Sequence, residues 1–156
     1  MSGNYIGLRD QALRSARSDV PGAPLGRPWG VVADLGLKGG TATIVALADG
    51  HASMYFSSGA GYIGGGQKHQ RIRDAARIAV EAGIAALPLL ESAAVFPLPP
   101  AGRVTFFVLT DKGVVAASGV ESELVASREK PGPLAVLYLA IQNVITQYRL
   151  TQQSPN

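Results

Sequence analysis

Cysteine is absent from the chain, so it can form no disulfide, has no thiol nucleophile and lacks the thiolates of a structural zinc site. That absence fits a reducing compartment, and a bacterial-type cytoplasm is the expected location. Charge is scarce too, at 16% of the 156 residues against 47% apolar. Aromatic residues reach only 6%, which is thin for a surface that stacks bases between cations. Long hydrophobic runs are missing. The longest, 82–90 and 134–141, fall well short of the roughly 18–20 residues that span a bilayer. The opening MSGNYIGLRD has no basic stretch before an apolar core, so no secretory signal is expected.

What is present suits one domain able to bury its own core, over about 5–150, with 151–156 as a tail. The apolar surplus suggests that part of the surface is covered by a second copy, hence a homodimer. Net charge is +3. Residues 1–77 hold nine Lys/Arg against five Asp, and residues 78–156 hold five against six Asp/Glu. The basic excess therefore sits in the first half, without a consecutive run, and nucleic acid is not an expected partner.

Periodicity divides the chain into helix, three strands, helix, two strands, helix. Residues 5–17 read as a helix with Tyr5, Leu8, Ala12 and Ala16 on one face and Arg9, Arg14 and Arg17 elsewhere. The proline-rich 18–28 is a connector. Strands follow at 29–37, 41–48 and 51–58, with turns at Lys38-Gly39-Gly40 and Asp49-Gly50. In the third, His51, Ser53, Tyr55 and Ser57 alternate with Ala52, Met54 and Phe56, so one face is half-wet. After the glycine-rich 59–66, the alanine-rich 67–87 has helical spacing, and Pro88 ends or kinks it. Strands at 103–110 and 114–120 form a hairpin about Asp111-Lys112-Gly113. Pro133 opens a last helix to about Leu150, apolar on more than one side. The expected fold is α+β, an antiparallel sheet of about five strands covered by helices.

No catalytic or metal constellation emerges, and no cofactor is expected. Gly59-Ala60-Gly61-Tyr62-Ile63-Gly64 has the G-x-G-x-x-G spacing of a dinucleotide loop. It follows the third strand of a meander rather than the first of a βαβ unit, and Glu81 falls inside a helix where a strand-end acid should be. The two histidines, His51 and His69, have no helical i, i+4 ligand partner. No nucleophile elbow surrounds a serine. Asp34 is unusual inside an apolar strand and reads as a satisfied or edge-facing carboxylate rather than a catalytic one.

One segment invites a ligand. Gly64, Gly65 and Gly66 lead into a helix whose first turns carry Lys68, His69, Arg71 and Arg73. A helix start already bears roughly half a positive charge, so cations there oppose what stability favours. Exposed N–H groups beside them would suit a phosphate-bearing ligand or an acidic protein partner. The plain alternative is a solvated basic helix end.

The order of elements resembles the profilin-like folds, nearest the roadblock/dynein light chain family. The segments GGTATIVALADG (39–50) with helix 67–87, and RVTFFVLTDKGVVAASG (103–119) with helix 133–150, carry the likeness. It implies a non-enzymatic dimer that scaffolds or regulates partners. Two functional expectations result: a non-catalytic homodimeric interaction or regulatory module, or a small-ligand protein or enzyme using 59–66 and the basic helix start 68–77.

Overall fold

The computed structural model describes residues 3–153. Of the expected tail, 154–156 lie outside the described residues. Residues 151–153 belong to the last helix.

Helix α1 (Gly3–Leu13) is followed by a single 3-10 turn, Arg17–Asp19. Strands β1 (Gly30–Leu37) and β2 (Gly40–Leu47) form a hairpin in which Leu37 pairs with Gly40. Gly39 takes φ +85° at its turn, a conformation that side chains with a Cβ resist. Strand β3 (Ala52–Phe56) pairs with β2 across the Asp49-Gly50 turn. There the Asp49 carboxylate accepts the His51 N–H at 2.9 Å, a local bond typical of Asp in turns. Strand β4 (Gly61–Ile63), helix α2 (Gly65–Lys68), helix α3 (Gln70–Ala85) and strand β5 (Glu91–Ser92) follow. The chain closes with β6 (Arg103–Thr110), β7 (Gly113–Val120), α4 (Glu121–Ala126) and α5 (Pro133–Gln153).

Among the described residues seven strands form one antiparallel sheet in the order β4-β3-β2-β1-β6-β7-β5. This corrects the five-strand, profilin-like and roadblock-like expectation. The two extra strands, of three and two residues, are too short to show a periodicity of their own. One lies in the glycine-rich 59–66, where Gly59 at φ +109° folds β4 back along β3. The other pairs with β7 at the opposite edge. After β5 the proline-rich segment crosses the sheet to start β6 beside β1. It passes over Gly36, where a Cβ would lie 1.9 Å from the Pro100 carbonyl oxygen.

Both faces of the sheet are covered. Helices α3 and α5 pack on one, around Val31, Ile44, Met54, Phe106 and Val108. Alanines at 75, 76, 79 and 82, with Gly83, let α3 lie close, as small residues permit. The other face is capped by α1 and by Phe96 and Leu98 of the crossing segment, around Val32, Val45, Tyr55 and Phe107. These two cores bury much of the apolar surplus within one chain, while Leu25, Ile63, Ile78 and Val95 remain exposed among the described residues. The dimer expected from the roadblock plan loses its basis with that plan.

Candidate functional site

Helix α1 is held by a buried polar chain as well as by its apolar residues Tyr5, Leu8, Ala12 and Leu13. Its buried residues are Tyr5, Arg9 and Leu13, one per turn. Arg9 was expected to face away with the other arginines; it points inward and pairs with Asp34. Its Nε donates to both Asp34 oxygens at 3.2 and 3.1 Å, and its second nitrogen donates to Oδ2 at 2.6 Å. The same nitrogen donates to the Phe96 carbonyl at 2.9 Å, tying the crossing segment to α1. Thr43 Oγ1 donates to Asp34 Oδ1 at 2.6 Å and therefore accepts from the Tyr5 hydroxyl at 2.6 Å. Burial pushes the Tyr5 hydroxyl above its usual 10.0, which keeps it a neutral donor. Asp34, fully buried in a central strand, is thus a satisfied structural carboxylate.

Beside this clamp, α1 leaves open space over the sheet. A cavity of about 380 Å³ opens between α1 and strands β2, β3 and β4. Its apolar walls are Leu8 and Ala12 above, Val45 and Leu47 below, and Tyr55 and Ile63 at the side. Five polar side chains also line it: Gln11, Ser15, Asp19, His51 and Ser53. The strand period brings His51 and Ser53 onto one face two residues apart, with His51 Nε2 3.3 Å from Ser53 Oγ. Among the described residues no carboxylate bonds to the His51 ring, and the Asp49 carboxylate is spent on the His51 backbone N–H. The pair is a hydrogen-bonding station without the third member that orients a catalytic histidine. It was legible as one face of the third strand, expected to be half-wet; in the fold Ser53 and Tyr55 on that face are buried. The cavity above it was not legible, because it depends on where α1 docks.

The glycine-rich helix start is arranged differently from the anion site expected there. Gly64 takes φ +73° before α2. Gly65 and Gly66 are buried, and each is required by a close approach. A Cβ on Gly65 would lie 2.5 Å from the Tyr148 ring, and one on Gly66 would lie 2.0 Å from the Gly50 oxygen. The Gly65 N–H, which an anion would use, donates to the Tyr148 hydroxyl at 2.9 Å. Arg73 turns back on its own loop, donating to the Gly66 oxygen at 2.9 Å and to Gln70. Lys68, His69 and Arg71 are exposed, and His69 breaks the helix into α2 and α3. The structure therefore joins Arg73 to Gly66, ties Gly65 to Tyr148, and leaves Lys68, His69 and Arg71 on the surface.

Two further tyrosines anchor α5. The Tyr148 hydroxyl donates to the Ala52 oxygen at 2.6 Å, and burial raises its pKa, against the lowering effect of the Gly65 N–H. The Tyr138 hydroxyl donates to Glu121 at 2.7 Å. Burial and the adjacent carboxylate push it well above the ordinary tyrosine range. Neither position was singled out as a structural anchor by pattern alone, since both fall on an apolar stripe.

Among the described residues no cluster of His, Cys, Asp or Glu could hold a metal, and no helix is long and apolar enough to cross a membrane. The chain matches no family model, no curated protein and no solved structure.

Proposed function

We propose that the protein is a non-catalytic binding module whose cavity beneath α1 receives a small, mainly apolar molecule bearing a hydrogen-bonding group. The observation that carries this reading is the cavity itself, apolar on most sides with the His51–Ser53 pair in its lining. Ligand sites of a few hundred Å³ have this composition, in which apolar walls supply affinity and a few polar atoms fix orientation. The lining includes an acid, Asp19, and no Lys or Arg. That favours a neutral or cationic ligand over the phosphate-bearing one considered for 64–73. Helix α1 is the cover of the site, and ligand occupancy would be read out through it. The cysteine-free composition supports a reducing, cytoplasmic setting.

His51 and His69 are the only histidines, and they lie in different surroundings. Imidazole resonances followed by NMR during titration with a panel of small lactams, alcohols and heteroaromatics provide the test. A ligand in the cavity moves His51, leaves the exposed His69 in place, and loses affinity in Ser53→Val and Ala12→Trp. A panel that produces no saturable His51 shift, or binders unaffected by both substitutions, overturns the reading.

A further inference from the structure

The short edge strand β4 walls a second cavity on the opposite face of the sheet. In its register Ile63 pairs with Ser53 and Tyr62 pairs with Met54. Ile63 therefore faces the cavity under α1, while Tyr62 faces the side of α3 and α5. There the Tyr62 ring stacks on Tyr148, with centroids 5.6 Å apart and planes inclined by 28°. A cavity of about 270 Å³ lies between these rings, β3 and the end of α5. Met54, Phe56 and Ile145 complete its apolar lining.

The polar chemistry of this cavity is narrow. The Tyr148 hydroxyl is committed on both sides, to the Ala52 oxygen and the Gly65 N–H, so it offers only its ring. What remains is Arg149 and Gln152. Arg149 is the single charged residue in the 21 residues of α5. Among the described residues it forms neither an ion pair nor a hydrogen bond. An uncompensated guanidinium at the mouth of an aromatic pocket matches one chemistry: a flat ring to lie against tyrosine and a carboxylate to meet the fork of N–H donors.

We propose that this cavity is a second binding site, independent of the one under α1, and that it takes a small aromatic carboxylate. The ring lies beside Tyr62 and Tyr148, and the carboxylate pairs with Arg149 at the rim.

The test is a titration of the full chain with 2-naphthoate and, in parallel, its neutral isostere 2-naphthamide, followed by backbone amide shifts. The expected result is saturable movement of the Gly61–Gly64 amides and the end of α5, with the carboxylate bound about two- to fivefold more tightly than the amide, as a solvent-exposed charge pair implies. In Arg149→Gln that preference disappears while the amide still binds; in Tyr62→Ala both ligands weaken. Both positions are exposed, so the fold tolerates these substitutions, and unchanged amide spectra elsewhere check this. Equal binding of acid and amide by the wild type, an unchanged preference in Arg149→Gln, or no saturable shift overturns the proposal. So does movement of the His51 imidazole in place of β4 and α5, which would put the ligand in the other cavity.

Discussion

Against α3 and α5 the sheet presents Val31, Ala33, Ile44, Phe106 and Val108; against α1 it presents Asp34, Thr43, Ser53 and Thr105 among its apolar residues. Every buried non-tyrosine polar residue among those described, Arg9 and Thr41 included, lies on the α1 side. The first face gains its stability from close contact of small side chains, which leaves no slack under α3. The second is fastened by a few directional bonds at one end of a helix, and the space they leave uncovered becomes a cavity. Close packing and a ligand cavity are alternative uses of the same helix-on-sheet contact: α3 packs closely along its length, whereas space remains under α1 and beside the end of α5.

The comparison breaks hardest at the clamp. Arg9→Met leaves the Asp34 carboxylate buried without its partner and should cost about 3–5 kcal/mol in urea unfolding, the usual result of halving a buried pair. The double variant Arg9→Met/Asp34→Leu should recover much of that loss, because no charge remains buried.

Adding bulk should then separate the two faces. Gly83→Ala places a Cβ 2.6 Å from Val31 Cγ2 and should destabilise by about 1–3 kcal/mol, since the α3 face cannot move aside. Ala12→Trp puts far more bulk over the cavity under α1, yet thermal unfolding should shift by less than in Gly83→Ala. Equal losses from the two would erase the distinction between the faces.

Alkaline pH sharpens the contrast further. Tyr5, Tyr138 and Tyr148 all have pKa values raised from 10.0 by burial. Above pH 10 the unfolded chain loses these protons while the folded chain keeps them. Their contribution to stability is therefore intact below pH 10 and falls as pH climbs toward the raised folded values. Tyr138→Phe should flatten this decline, as measured by urea midpoints between pH 9 and 11. The smallest effect is expected at the surface, where Arg71→Glu should change stability by no more than about 0.5 kcal/mol.

The amino-acid sequence alone determined the local elements. Period-2 stretches and the Lys38-Gly39, Asp49-Gly50 and Asp111-Lys112 turns specify the hairpins, and alanine at helical spacing specifies α3. The shared face of His51, Ser53 and Tyr55 followed from alternation, but its burial did not. Only the tertiary structure decided the order of the sheet, the two short edge strands, the inward turn of Arg9 and the existence of either cavity. Pairing of Arg9 with Asp34 is chosen among distant segments by burial and by the cost of an unpaired charge. No local window carries that information. A cavity is less legible still, because it is the volume left between α1 or α5 and the sheet after all the longer-range contacts have been made.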